Sequence, residues 1–374
     1  MRYYLLGKSG LRVSEICLGA MTFGEEWGWG ASKEESRLIF DAYVDAGGNF
    51  IDTANKYTEG TSEKYVGEFI RSDRNRFVLA TKYTSNIRRG DPNAGGNHRK
   101  SLIQSLDASL DRLNTDYIDL YWVHAWDPMT PIEELMRALD DMVRAGKILY
   151  IGISDAPAWI VSHANTLAEM KGWTPFTGLQ IEYSLIERTP ERELLPMASA
   201  LDIGVTAWSP LGGGILTGKY NNTKKELRNH QIQDKQEDHN AKEEEGRMIV
   251  ISSKSGDPLN VMFKDRDMII AEEVSKIAKE IVRVPSQVAL NWIRQQQDGK
   301  GRNRRIIPII GSKKESQIRE NLASLEFELT KDQLQRLNEA SKIDLGFPHD
   351  FLASDRIKDI IYGSTFSSIY NHRS

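Results

Sequence analysis

Short apolar runs alternate along the chain with longer stretches of helical periodicity. The runs are Ile16–Ala20, Asn49–Asp52, Phe77–Lys82, Ile118–His124, Ile148–Ser154, Gly178–Ile181, Val205–Ser209 and Ile306–Ile309. They lack a polar/apolar alternation, so each reads as a strand buried on both faces, as in a parallel sheet. Between them, Leu102, Leu106, Leu110 and Leu113 make one helical stripe. Ser32 followed by Glu35 reads as a capping box opening the first helix, which Gly47-Gly48 closes. Pro131 with Glu133 and Glu134 suits a helix start, and Ala145-Gly146 its end. Helices are also predicted over Asp267–Ile281, Ser286–Gln296 and Thr330–Ser341. Ahead of the first run, Tyr4–Leu6, the turn Gly7–Gly10 and Arg12–Ser14 predict a hairpin.

Eight β-then-α units with right-handed crossovers leave two architectures, a closed barrel or an open doubly wound sheet. A length of 374 residues and the count of eight favour the (β/α)8 TIM barrel. Residues 1–374 are expected to form a single barrel domain with an N-terminal hairpin. A long loop follows strand seven, and a C-terminal extension over about 330–374 carries an extra helix. From Asn221 to about Asp257 the chain is polar and charge-dense, with Lys224-Lys225-Glu226 and Glu243-Glu244-Glu245, and receives no secondary structure.

Composition narrows the partners. The net charge is −4, and the longest basic run, Lys300–Arg305, reads as a solvated turn, so no nucleic-acid partner is expected. Cys17 is the one cysteine; it reads as a small buried hydrophobe, and no intrachain disulfide can form. No stretch approaches the roughly 20 apolar residues that cross a bilayer. The start Met1-Arg2-Tyr3-Tyr4 lacks the apolar core of a signal peptide. A cytoplasmic protein without a membrane partner is the resulting expectation. The seven histidines are scattered and no HExxH occurs, so no metal is expected. Nothing in the sequence bears on oligomeric state.

Chemistry is sought at the C-terminal ends of barrel strands. Asp52 ends strand two with Tyr57 just beyond, Lys82 ends strand three, and His124 ends strand four. Charges at the ends of apolar runs are costly unless paired, and Lys82 with Asp52 would satisfy each other. A free phenol, with a pKa of about 10, is a poor acid near neutrality. An adjacent ammonium lowers that pKa, so Tyr57 beside Lys82 becomes a proton donor, and a neutral His124 would polarise a carbonyl oxygen. Hydride must then come from a cofactor. Taken singly, the four have ordinary roles as a turn cap, a rim aromatic, an ion-pair partner and a core histidine; together, on consecutive strand ends, they favour the chemistry.

Gly19-Ala20-Met21-Thr22-Phe23-Gly24, Asp52-Thr53-Ala54 with Tyr57, Ser109-Leu110-Asp111-Arg112-Leu113 followed by Asp116-Tyr117-Ile118-Asp119-Leu120, and Ile307-Pro308 with Gly311 resemble the aldo-keto reductase family. The resemblance runs from about Tyr4 to Leu329. It implies a (β/α)8 barrel, a small carbonyl substrate, NADPH/NADP+ as cofactor, and a catalytic tetrad matching Asp52, Tyr57, Lys82 and His124, with Tyr57 the general acid. It also implies cofactor contacts at Gly19, Ala20, Met21 and Asp52. Ser154, Asp155 and Gln180 would hold the nicotinamide carboxamide, although Asp155 departs from the family's usual asparagine. Trp208 would stack on the ring.

Ser209, Pro210, Leu211, Gly212, Gly213, Gly214 and Lys219 form a glycine-rich loop whose backbone amides suit a pyrophosphate, although no GxGxxG opens a helix here. Gly311, Lys313, Gln317, Glu320 and Asn321 match the family's adenosine end, and a cation at Lys313 suits a 2′-phosphate, hence NADPH over NADH. The segment Asn221–Asp257 is expected to fold over the pyrophosphate. Trp27 and Trp29 among glycines, with Trp126 after His124, predict an apolar substrate rim. The wording Trp208-Ser209-Pro210-Leu211 with Gly218-Lys219-Tyr220 is similar to the branch that includes potassium-channel β-subunits, which keeps a cofactor-binding regulatory subunit as an alternative. A barrel glycosidase using Asp52 and Glu182 is a weaker one, because it leaves Tyr57, Lys82 and the strand-eight pattern unexplained.

Overall fold

The computed structural model describes residues 1–220, 264–296 and 306–370. The hairpin is present: β1 (Tyr3–Leu5) pairs antiparallel with β2 (Arg12–Ser14). Leu6 and Val13, with Leu11 against them, join the cluster inside the barrel, so the hairpin closes its N-terminal mouth. Gly7 makes this possible. Its φ is +55°, and a Cβ there would lie 2.5 Å from the Gly204 nitrogen.

Eight parallel strands close into a barrel in chain order: β3 (Cys17–Gly19), β4 (Phe50–Asp52), β5 (Val78–Tyr83), β6 (Ile118–Val123), β7 (Ile148–Ser154), β8 (Phe176–Glu182), β9 (Gly204–Trp208) and β10 (Ile307–Ile310). The last returns to pair with β3. The fold expected from the apolar runs is the fold observed. Cys17, Phe50, Val78, Ala80, Leu120, Trp122, Ile307 and Ile309 pack as the interior cluster, which leaves a filled core rather than a pore. Trp122 is the largest of them. Its indole occupies space left by Gly152 and Gly178, where an added Cβ would come within 2.3 and 2.7 Å of the ring. Cys17 is buried, and burial pushes its thiol pKa up, consistent with an inert core position.

Outside lie α1 (Lys33–Asp45), α2 (Thr61–Ile70), α3 (Arg99–Leu113), α4 (Ile132–Arg144), α5 (Ala158–Lys171) and α6 (Leu194–Leu201), then the helices Asp265–Glu280, Pro285–Arg294 and Glu315–Leu322. Their apolar faces and the outward strand residues make the larger core. Leu102, Leu106 and Leu113 of α3 are buried and Leu110 is half-buried, as the stripe requires. Pro131 and the acidic first turn open α4.

Only half of the capping box at α1 forms. The Ser32 side chain accepts from the Glu35 amide at 3.3 Å, but the Glu35 carboxylate accepts instead from the Glu315 amide, at the start of a helix 280 residues away. The long-range partner wins because the orphan amides of that helix also need an acceptor. Thr330 and Gln333 do form a full box opening Lys331–Ala340, which is fastened to the barrel by Trp292 Nε1 donating to Asn338 Oδ1 at 2.9 Å. Beyond Pro348, where the sequence shows only a mixed segment, two short helices follow, His349–Ala353 and Asp355–Tyr362. Elements of that length carry too few turns for a periodic signal. The segment Asn221–Asp257 and the run Lys300–Arg305 lie outside the described residues.

Candidate active site

The barrel brings four polar side chains to its C-terminal end. Asp52 is the last residue of β4, Lys82 lies one short of the end of β5, His124 follows β6, and Tyr57 opens a 3-10 turn, Tyr57–Gly60. Lys82 Nζ donates to Asp52 Oδ2, to the Thr53 carbonyl at 2.9 Å and to the Tyr57 hydroxyl at 3.0 Å. The same ammonium lies 4.6 Å from the Tyr57 ring centroid. The His124 and Tyr57 rings meet edge to face at 5.9 Å.

Electrostatics follow from burial. The Lys82 side chain is 0% exposed and that of Asp52 4% exposed. Burial works against the Lys82 ammonium, but the Asp52 carboxylate and then Tyr57 outweigh it, and its pKa lies above the ordinary lysine value. Burial, reinforced by the nearby Lys82 charge, lowers the His124 pKa to about 3, so its imidazole is neutral at physiological pH. Its Nδ1 is buried with no protein partner. Gln180, expected beside the cofactor, donates from Nε2 to Asp52 Oδ1 at 3.1 Å, so both Asp52 oxygens are engaged.

Around this centre the remaining residues divide by strand end. Asp155 has a left-handed φ of +46°, and its Oδ1 accepts from Trp208 Nε1 at 3.1 Å. Ser154 is buried beside it. After β9, Gly212, Gly213 and Gly214 all have positive φ, which explains the glycines. Their amides are spent inside the loop. Gly212 N donates to the Ser209 carbonyl at 2.9 Å, Gly213 N to Ser209 Oγ at 3.2 Å, and Gly214 N to the Leu211 carbonyl at 3.0 Å. These three bonds hold the turn together. Lys219 Nζ lies 4.9 Å from the Tyr220 ring.

At the end of β10, a Cβ on Gly311 would meet only the Gly19 carbonyl oxygen, at 3.5 Å. The Lys313 amide donates to Gln317 Oε1 at 2.9 Å, and Lys313 Nζ lies 5.6 Å from the Trp29 ring. Glu320 joins two helices: its Oε1 accepts from Ser286 Oγ at 3.0 Å, and its backbone carbonyl from Gln287 Nε2 at 2.8 Å. Asn321 is buried. Ala20 donates its amide to the Asp52 carbonyl at 2.8 Å, and Met21 is half-buried next to it.

Trp27 and Trp29 contact each other at 5.6 Å, and Trp27 meets Tyr57 edge to face at 6.4 Å. Trp126 is partly buried against the core. Three residues escaped the sequence reading. Glu59 accepts from Trp27 Nε1 at 3.2 Å and pairs with Lys56 at 2.5 Å. Asn55 is 3% exposed, and neither polar atom of its side chain has a protein partner. In the sequence these are ordinary loop residues, and no periodicity marks them. Among the described residues, no cluster of three or more His, Cys, Asp or Glu is arranged to hold a metal, and no helix is long and apolar enough to cross a membrane.

Comparison with known proteins points the same way as the fold. The chain is 35% identical to an aryl-alcohol dehydrogenase of Pestalotiopsis microspora over 361 residues, covering 94% of this chain and 85% of that protein. It is 34% identical to the NADP(+) aryl-alcohol dehydrogenase of Phanerodontia chrysosporium over 355 residues, 91% of this chain and 86% of that one. Norsolorinic acid reductase A of Aspergillus parasiticus is 33% identical over 354 residues, 92% and 82% of the two chains. The family model described as the aldo/keto reductase family matches residues 15–342, nearly the whole barrel. On the match, the closed barrel and these relatives together, the chain belongs to the aldo/keto reductase family.

Proposed function

We propose that this protein reduces aromatic aldehydes to aryl alcohols with NADPH, and runs the reverse reaction when the alcohol and NADP+ are in excess. One observation carries the reading: a single buried ammonium, Lys82 Nζ, contacts both Asp52 and the Tyr57 hydroxyl. The cation stabilises a developing phenolate and so makes Tyr57 a competent general acid, while Asp52 keeps the ammonium charged and aimed. The neutral His124 offers a ring N–H to the carbonyl oxygen, withdrawing electron density from the carbon to be reduced. When bound, a nicotinamide cofactor supplies the hydride that no side chain can.

The site's donor set suits such a group. Ser312 Oγ is buried with no protein partner beside Gly311, whose missing side chain leaves an approach, and Lys313 stands just ahead of the helix Glu315–Leu322 as a cation for a 2′-phosphate. Ser154, Asp155 and Gln180 would hold the carboxamide, with Trp208 as the flat surface for the ring, a reading supported by the Ser154–Gln180 register and the Gln180–Asp52 and Trp208–Asp155 bonds. The aromatic preference rests on the Trp27–Trp29 pair beside Tyr57 and on relatives named for aryl alcohols.

The test is NADPH oxidation followed optically against matched aromatic and aliphatic aldehydes. Aromatic aldehydes are expected to show the higher kcat/KM, and Tyr57→Phe to lose about 10²–10⁴-fold in kcat. Undiminished turnover in Tyr57→Phe would refute the assignment of the acid. Cofactor binding without turnover of any carbonyl would favour the regulatory-subunit alternative.

A further inference from the structure

We propose that Asp155 sets the balance between oxidised and reduced cofactor: its carboxylate, anchored on the Trp208 indole beside the tetrad, favours the positively charged oxidised nicotinamide over the neutral reduced one. This deepens the NADPH reading above and rests on it. The bound reduced cofactor then becomes a stronger hydride donor, because the site stabilises what it turns into.

Position comes first. Asp155 directly follows Ser154, the last residue of β7. Ser154 pairs in register with Gln180, and Gln180 donates to Asp52 at 3.1 Å, so Asp155 stands one residue above the layer that holds the tetrad. Its backbone carbonyl accepts from the Trp126 amide at 3.3 Å and its carboxylate from Trp208 Nε1 at 3.1 Å, which ties the turn to both aromatic neighbours. Trp122 fills the barrel beneath. Trp27 and Tyr57 meet on one side of the tetrad, and Ser154, Asp155, Gln180 and Trp208, at the ends of β7 to β9, are the residues that would hold a nicotinamide.

Charge comes second. Lys82 is paired in contact with Asp52, and Lys56 with Glu59 at the rim. Asp155 is bonded instead to a neutral indole, so its negative charge is uncompensated by contact with a cation. The residue is exposed. The protein packed around it raises its pKa above the usual aspartate range, while Trp208, Ser154 and Lys82 pull in the opposite direction. A full charge near the ring in such a partly screened cleft is worth roughly tenfold in relative affinity.

The conservative variant Asp155→Asn isolates the charge. Asparagine retains an oxygen for the Trp208 N–H and tolerates the left-handed φ as aspartate does, so the turn is preserved. NADP+ and NADPH are titrated separately into the full-length protein, by quenching of tryptophan fluorescence at about pH 8. In Asp155→Asn the affinity for NADP+ is expected to fall about tenfold and that for NADPH to change less than about twofold. By linkage a tenfold change in the ratio raises the bound couple by about 30 mV.

Glu182→Gln, which removes another carboxylate at the end of β8, is the comparator and is expected to move the ratio far less. Equal changes for both cofactors in Asp155→Asn, or an equal ratio shift in Glu182→Gln, would overturn the proposal while leaving NADPH use intact. Failure of the wild-type protein to bind either cofactor would remove both.

Discussion

Lys82 is the residue on which the candidate chemistry turns. Burying an ammonium costs several kcal/mol unless a counter-charge and hydrogen bonds offset it, and here Asp52, the Thr53 carbonyl and Tyr57 supply them. Lys82→Met removes the cation and strands Asp52. It is expected to destabilise the fold by about 3–5 kcal/mol in urea unfolding, whereas Asp52→Asn combined with Lys82→Met should lose clearly less. Where Lys82→Met still folds, the alkaline limb of its kcat/KM profile should move upward, because the phenol has lost its stabilising charge. His124 makes an opposite demand. Its pKa is depressed to about 3, so the folded protein keeps it neutral while the unfolded chain protonates it below about pH 6.5. The folded state therefore binds fewer protons than the unfolded state between those limits, and stability falls as pH drops through that window. The loss approaches at most about 1.4 kcal/mol per pH unit. In His124→Gln the decline in unfolding free energy from pH 7 to about 5 is expected to be shallower by that component. An identical slope in the variant would show that the imidazole titrates alike in the folded and unfolded protein.

Strands place these side chains, and two strands do so by omission. Gly152 on β7 and Gly178 on β8 make room for the Trp122 indole, which lies next to Lys82 in register and supports the strand ends from below. Gly152→Ala would set a Cβ about 2.3 Å from the ring, so something must shift. A loss of about 1–3 kcal/mol is expected, and Trp122→Leu should recover much of it in a double-mutant cycle. The turn after β10 works through charge rather than space. Lys313 precedes the helix Glu315–Leu322, whose first amide is already held by Glu35 from α1. That carboxylate makes the helix start less hospitable to an anion, so on the proposed NADPH reading the recognition of a 2′-phosphate would fall to the lysine. Lys313→Met is accordingly expected to weaken NADPH binding by about tenfold or more with little effect on NADH, as read from fluorescence titration. A uniform loss for both cofactors would assign Lys313 to the fold instead.

For the barrel as a unit, a cofactor spanning the ends of β3 and β7 through β10 would link parts of the chain far apart in sequence. Binding only the folded form stabilises it by about 2.7 kcal/mol at a hundredfold excess over Kd. Thermal melts should therefore rise more with NADPH than with equal NADH, and the difference should vanish in Lys313→Met. The parallel barrel was legible in the sequence because strands buried on both faces must be continuous apolar runs, and the polar residues that end them stand out. That legibility extended to Asp52, Tyr57, Lys82 and His124 as candidates and to the ion pair of two of them. It did not extend to Gln180 on Asp52 across 128 residues, to Glu35 leaving its own helix for Glu315, or to Asp155 on Trp208. Nor did it reveal that the Gly212–Gly214 amides serve their own turn. The pattern of hydrophobic positions determined the eight βα units and which residues stand at their strand ends, since periodicity records local burial, while chain length and the count of eight favoured the closed barrel over an open sheet. Which of those residues share a proton, a charge or a hydrogen bond was decided only when the barrel closed, because such pairings depend on distances between strands that no spacing along the chain encodes.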